Sequence, residues 1–311
     1  MKLHQLRYVA EIARQGLSFS AAAQALHTSQ PGISKQIQLL ESELGVDLFV
    51  RSGNRIAEMT EPGRRIAEIA AAILRETESI KSAAREFTAG GAGRLDIAAT
   101  FTLARYVLPG LFSRFAARYP DVGLNLLQGS SDQVCRMAES GEADIALTAR
   151  PAREFPDLLL IDYCELPRVL IVPRGHPLAR TKRVTLKAIA SNPLITLDIG
   201  SQGQARMHEV LRASGLGIRN ALSLGNVDVV KAFVEAGLGI AIVPQLAFDP
   251  ARDRRLRALD VGHLFEPHRG CLAIRRNHYL PGFAYDFIET LAPGLDRKRI
   301  QEALRASAAG S

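Results

Sequence analysis

The sequence predicts two unlike parts: an N-terminal all-α winged helix-turn-helix leading into a long linker helix, and a C-terminal α/β domain of two lobes. Three observations predict it. Residues 18–44, SFSAAAQALHTSQPGISKQIQLLESEL, have the form of two short helices meeting at a tight turn. Residues 60–87 repeat isoleucine every seven positions, and the chain after residue 93 alternates short apolar strands with helical patterns.

Leu3, Leu6, Ala10 and Ala13 mark a first helix able to close a small helical core. Ser20, with Phe19 before it, is the expected N-cap of the second helix, which runs through Ala21, Ala22, Ala23 and Ala25 to Leu26. Its alanines allow backbones to approach closely. Ser29 is the expected cap of the third helix, and Pro31 falls in its first turn, where a missing N–H costs little. Ile33, Ile37, Leu40 and Leu44 form one apolar stripe that Gly45 ends. Gln30, Ser34, Lys35 and Gln38 then face away from the core, beside Ser29 and Pro31 at the helix start. Amides and hydroxyls read base edges and lysine meets phosphate or guanine, so this helix is the candidate for the DNA major groove.

Residues 46–50 and 55–59 read as strands around Ser52-Gly53-Asn54, a hairpin signal. That hairpin is a wing, with Arg51 and Arg55 placed for the sugar-phosphate backbone; a solvated turn is the alternative for both. The net charge of +7 does not make the DNA case, because residues 1–58 carry six basic side chains against five acidic ones. Distribution makes it, since Glu41, Glu43 and Asp47 lie away from Lys35.

Thr60 is expected to cap a helix running to about Phe87, with Pro62 and Gly63 tolerated in its first turn. Ile66, Ile73 and Ile80, with Ala70, Thr77 and Ala84 four positions after each, form a seam along which two copies can pair. A homodimer is the expectation, and packing on its own domain the alternative. Residues 88–93 read as a joint. Beyond it, strands are expected at 95–99, 123–127 and 144–148 with helices near 103–118 and 132–140, then a second strand series at 168–172, 194–196 and 239–243. Two successive βα units imply two lobes with a cleft between them. Thr100 and Thr102 fall where a strand ends and a helix begins, which suits either an anion site or an ordinary cap.

Within 311 residues no apolar run reaches membrane-spanning length, and the N-terminus lacks a signal peptide's apolar core, so a cytoplasmic protein is expected. Cys135, Cys164 and Cys271 show no metal spacing and read as buried thiols, with a redox sensor built on Cys164 or Cys271 as the alternative. There is no P-loop, no complete GxGxxG after a strand, no HExxH and no GxSxG. No catalytic residue, metal or cofactor is therefore assigned, and an enzyme is not the expectation.

The order of an AAxxL helix, an SQPxxSxQIxxLExxLG helix, an LFxRS wing and a long helix opened by Thr60 resembles the LysR-type transcriptional regulators. The stretches MKLHQLRYVAEIA, ARYVLP, NVDVVKAFVEAGLGIAIV and YDFIETLAP extend the similarity to the end of the chain and are most similar to the CysB-like subgroup, whose members control sulfur assimilation and cysteine synthesis. The resemblance implies a DNA-binding domain at 1–59, a linker and dimerisation helix at 60–88 and an effector-binding domain at 89–311. The last would be built like periplasmic binding proteins, with lobe 1 at 93–162 and 268–300 and lobe 2 at 163–267. The chain would cross near Tyr163 and His268.

The resemblance also implies double-stranded operator DNA as partner, a homodimer through the linker helix assembling into a homotetramer, and RNA polymerase as a further candidate partner. The implied effector is a small anion, such as sulfate, thiosulfate or an acylated serine, on threonines at Thr100 and Thr102. At other subgroup positions this chain departs: Leu103 stands for a glutamine, Ala149 for a threonine with Thr148 one place earlier, and Gln202 for a threonine. Cys164 and Leu166 stand where aromatic residues are common. An anion pocket of altered selectivity is expected, completed by Thr148, Thr196, Ser201 and Gln202.

Overall fold

The computed structural model describes residues 1–52, 55–88, 93–197, 202–217, 219–276 and 279–309, and the chain forms two compact units, Met1–Ala84 and Arg85–Ser311. In the first unit, α1 (Leu3–Arg14), α2 (Phe19–Ala25) and α3 (Gln30–Leu44) precede a hairpin of β1 (Phe49–Ser52) and β2 (Arg55–Met59), and α4 (Glu61–Thr88) follows. Val9 and Ile12 of α1, Ala22 and Ala23 of α2, and Ile33, Ile37 and Leu40 of α3 share one core with Leu48, Phe49 and Met59.

Several local expectations are corrected. The buried face of α1 is Gln5, Leu6, Val9 and Ile12, while Leu3 and Ala13 are exposed. Val and Ile bury more apolar area than alanine and decide the helix's rotation. Ser18 rather than Ser20 caps α2: Ser18 has extended backbone and its Oγ accepts from the Ala21 N–H at 3.2 Å. Leu44 is exposed, because the last turn of α3 runs past the core and Leu48 fills the space instead. Gly45 ends α3 at φ 70°, a left-handed position that favours glycine. The first wing strand starts at Phe49 rather than Val46, since the Glu41 carboxylate takes the Leu48 and Phe49 N–H groups at 2.9 and 3.3 Å.

Thr60 caps α4: its Oγ1 accepts from the Gly63 N–H at 2.9 Å and its hydroxyl donates to the Asp47 carbonyl at 2.7 Å. A Cβ on residue 63 would lie 2.1 Å from the Leu48 carbonyl oxygen, so only glycine lets α4 start against the base of the wing. Ala67 and Ala70 of α4 are buried, whereas Ile69 and Ile80 are exposed.

The second unit opens with β3 (Gly93–Thr100), α5 (Phe101–Tyr106), α6 (Leu108–Arg118), β4 (Val122–Gly129), α7 (Ser131–Ser140), β5 (Ile145–Ala149) and β6 (Leu158–Leu166). The single helix expected at 103–118 is two, because Pro109 in the first turn of α6 lacks an N–H and its ring clashes with the preceding turn. Lobe 2 holds β7 (Arg168–Pro173), α8 (Leu186–Ala190), β8 (Leu194–Leu197), α9 (Gln202–Ala213), β9 (Asn220–Leu224), α10 (Val227–Glu235), β10 (Ile240–Pro244) and β11 (Leu256–Asp260). The chain then returns through β12 (His268–Arg275), α11 (Gly282–Leu291) and α12 (Arg297–Ala309).

The sheet orders are β4-β3-β5-β12-β6 in lobe 1 and β11-β7-β10-β8-β9 in lobe 2. In lobe 2, Val169 and Ile171 face one core while Leu170 and Val172 face the other, so the sheet is buried on both sides by the two-residue period of its strands. Strand β6 pairs with β12 from Leu166 opposite His268 to Leu158 opposite Arg275. Tyr163 therefore belongs to lobe 1, and the first crossing lies at Pro167 rather than near Tyr163. The lobe-1 segment at the C-terminus extends beyond residue 300, with Leu304 of α12 packed on the lobe-1 core.

Candidate functional site

Helix α3 presents its polar face as its spacing requires. Ser29, Gln30, Pro31, Lys35 and Gln38 are exposed and Ser34 is half-buried, while Ile33, Ile37 and Leu40 are buried behind them. The Ser29 Oγ accepts from the Gly32 N–H at 3.2 Å, fixing the helix start next to Gln30. Neighbouring acids are engaged elsewhere: Glu41 holds the wing, and Glu43 pairs with the N-terminal ammonium. Arg51 and Arg55 stand on β1 and β2, and their side chains lie outside the described residues.

In the second unit, β3 and β5 are parallel neighbours through Ala99 and Leu147, so Thr100 and Ala149 end at the same side of the sheet. Ligands of parallel sheets gather at such carboxyl ends. Thr100 and Thr102 are buried; Thr100 is the N-cap residue of α5, and its hydroxyl makes no capping bond to that helix.

Three other candidates have partners within the fold. Leu103 is buried in the lobe-1 core with Leu95 and Phe115, where an apolar side chain belongs. The buried Thr148 hydroxyl donates to the Ala149 carbonyl at 2.8 Å, and the Thr196 hydroxyl donates to the Leu222 carbonyl at 3.2 Å. Each hydroxyl thus has a backbone carbonyl partner within its own sheet. Ser201 lies outside the described residues, as does the side chain of Gln202, which opens α9.

The crossing brings one predicted residue, Ala149, together with others that the sequence reading missed. A cavity of about 450 Å³ lies between Ala149 and Arg150 of lobe 1, Arg206 and Met207 of α9, and the crossing residues Arg168 and His268. Thr100 and Thr102 are not among its lining. Arg168 and His268 each directly follow a proline, Pro167 and Pro267, and both are buried. A charged or titratable residue placed right after a proline at each lobe junction was the available signal. Burial pushes the Arg168 guanidinium down to about 10, so it stays charged at neutral pH.

Burial, with the Arg168 cation adding to it, pushes the His268 imidazole down to about 3 from its ordinary 6.5. A histidine with a depressed folded-state pKa contributes full stability above 6.5 and loses it as pH falls toward 3. The second unit should therefore lose on the order of 1 kcal/mol per pH unit below about 6. His268→Gln should flatten that slope in denaturant melts at pH 5 and 7; an unchanged slope would assign the acid sensitivity to other groups.

The lobes are also tied across α5 and α10. The Tyr106 hydroxyl donates to Asp228 Oδ1 at 2.6 Å, Lys231 Nζ donates to the Tyr106 oxygen at 3.0 Å, and Arg105 pairs with Asp228 at 3.0 Å. The Tyr106 ring packs on the lobe-2 core. Lys231 also pairs with Asp253 at 2.9 Å and donates to the Ala247 carbonyl at 2.9 Å. Burial opposes the Lys231 ammonium, yet its hydrogen bonds to Tyr106 and Asp253 hold its pKa above the ordinary lysine value.

Burial pushes the Cys135 and Cys271 thiols up to about 12 and raises Cys164. Thiolates, the reactive form, are thus disfavoured at all three positions. Among the described residues no cluster of three or more His, Cys, Asp or Glu is placed to hold a metal ion, and no helix is long and apolar enough to cross a membrane.

Residues 3–64 match the family described as "Bacterial regulatory helix-turn-helix protein, lysR family", and residues 88–296 match "LysR substrate binding domain". Among curated relatives, the HTH-type transcriptional regulator CysB of Burkholderia cenocepacia is 41% identical over 99% of this chain and 98% of its own length. The HTH-type transcriptional regulator SsuR of the same species is 38% identical over 98% of this chain and 99% of its own. The crystal structure of the cofactor-binding domain of the Cbl transcriptional regulator superposes with a TM-score of 0.65 at 32% identity, covering 68% of this chain and 93% of that one.

Proposed function

The chain belongs to the LysR family of transcriptional regulators, and from that premise we propose that it reads operator DNA with α3 and answers to a small anion held between its lobes. The observation that carries the first half is the division of α3 into a buried apolar stripe and an exposed face of Gln30, Lys35 and Gln38. A helix so divided can seat on its own core while its amides meet base edges.

The genes controlled are those of sulfur and cysteine metabolism. Supporting this is the similarity to CysB and SsuR over nearly the whole chain. Two copies pair along α4, where Ile69 and Ile80 leave apolar surface open, and pairs of dimers form a tetramer. Tyr106 and Asp228 give the lobes a preferred arrangement, and an effector between the lobes shifts the population among arrangements, altering the spacing of the reading heads.

Thr100 and Thr102 hold the anion in this reading. Calorimetric titration with sulfate, thiosulfate and O-acetylserine tests it. Heat is expected from at least one of them, and Thr102→Val should reduce its affinity at least tenfold, the loss of one or two buried hydrogen bonds to a charged group. Silence from all three, with an unrelated metabolite binding, would remove the sulfur assignment.

A further inference from the structure

We propose that the outer edge of the lobe-2 sheet, at β11, docks an extended acidic segment of a partner protein, which adds to the sheet as a further strand. Among the described residues β11 ends the order β11-β7-β10-β8-β9 and pairs with β7 alone. The Arg255 carbonyl accepts from the Arg174 N–H at 2.8 Å, so Arg255, Arg257 and Leu259 turn their backbone groups toward β7. Ala258, between two of them, turns its N–H and carbonyl outward. An incoming strand meets backbone groups there that the sheet itself does not pair.

The same edge is strongly basic. Arg174, Arg254, Arg255 and Arg257 are exposed, and among the described residues none of the four forms an ion pair. The acids of the adjoining loop are engaged elsewhere: Asp253 pairs with Lys231 at 2.9 Å and Asp249 with Arg252 at 3.5 Å. Residues 249–260 hold four arginines and no lysine. Lysine is the usual guard of an exposed edge, whereas the arginine fork matches a carboxylate with two parallel hydrogen bonds.

A groove of about 400 Å³ lies against this strand. Leu256, Arg257 and Ala258 line it in succession, so it takes in side chains from both faces of β11 and follows the edge. Arg257 stands opposite Val172 and Ala258 opposite Ile171, which belong to the two different cores of lobe 2. One side of the edge therefore carries Arg174, Arg255 and Arg257, and the other carries Leu256 and Ala258 beside Phe248. A strand that alternates acidic and apolar residues satisfies both sides at once. Duplex DNA supplies phosphates, but neither a peptide backbone for the ladder nor apolar side chains for the second side.

This surface lies wholly within lobe 2 and depends on neither the operator reading nor the effector reading. Its test is fluorescence anisotropy on the full-length chain with a labelled octapeptide that alternates glutamate and valine. That peptide should bind at least tenfold more tightly than its counterpart with glutamine in place of glutamate. Methylating either the glutamate or the valine amide nitrogens blocks one edge of the peptide, so one methylated isomer should keep binding and the other lose it.

Arg255→Gln combined with Arg257→Gln, on exposed side chains, should weaken binding at least tenfold. Lys187→Gln combined with Arg212→Gln removes as much charge from α8 and α9, outside the groove, and should change affinity less than twofold. Equal affinity for the glutamate and glutamine peptides, the same response to both methylated isomers, or equal losses in the two double variants would each overturn the proposal. Silence from the peptide would overturn it too, and three further readings then say what the arginines do. Self-association of the Arg255/Arg257 variant would make them guards of the edge, and a dissociated oligomer would make the occupant a second copy of this chain. A lowered affinity for non-operator duplex DNA would give the surface to nucleic acid.

Discussion

Replacing Ile37 with alanine is expected to destabilise the first unit by about 3 kcal/mol, as large-to-small changes of fully buried isoleucines do. Ile37 is fully buried on α3, in one core with Val9, Ile12 and Leu48. The loss is a large fraction of what a unit of this size has. Because the chain forms two compact units, the effector unit should melt as before while the head melts earlier and specific DNA binding falls with it. Two-probe denaturation, following the head and the lobes separately, checks this. A head unchanged in stability would mean that the α3 stripe is not what holds it.

The second large effect is expected at Lys231. Its side chain is 12% exposed and that of its partner Asp253 only 9%, and the ammonium also serves Tyr106 and the Ala247 carbonyl. Lys231→Met keeps the aliphatic bulk but leaves the Asp253 carboxylate buried with its cation gone. Breaking one side of such a pair costs on the order of 3 kcal/mol, far more than the intact pair contributes. Denaturant melts of the second unit measure it, and adding Asp253→Asn to Lys231→Met should recover part of the loss. A loss under about 0.5 kcal/mol would show the network to be solvated and energetically idle.

Much of this architecture was legible because it is written in short-range chemistry. The α3 stripe, the Thr60 cap and the strand rhythm all follow from side-chain periodicity and capping, which a single sequence carries. Errors arose where two signals competed locally. Ser18 and Ser20 are both good caps, and backbone conformation chose the first. Leu44 continues the α3 period but falls beyond the core that the period serves.

The effector region was less legible for a different reason. Thr148 and Thr196 carry the right group, yet their hydroxyls bond to carbonyls in their own or the neighbouring strand, which no spacing rule reveals. The meeting of Arg150, Arg168, Arg206 and His268 depends on where the chain crosses between lobes, and these residues are up to 118 positions apart in sequence. Likewise Tyr106 and Asp228 are 122 positions apart and meet only through the two-lobe topology. A charged and a titratable residue, Arg168 and His268, next to Pro167 and Pro267 were the visible hint.

The central claim is that α3 reads DNA sequence. Footprinting and anisotropy on DNA upstream of this gene and its neighbours, comparing the wild-type chain with Gln30→Ala, test it most directly. Gln30 is exposed at the start of α3, where the proposed reading has its amide meet a base edge. The account predicts a protected operator for the wild type and a loss of about 1–3 kcal/mol of specific affinity in the variant. Binding to non-specific DNA and its salt dependence should stay unchanged, because a neutral amide releases no counterions. An identical footprint and identical operator affinity for Gln30→Ala would contradict the account.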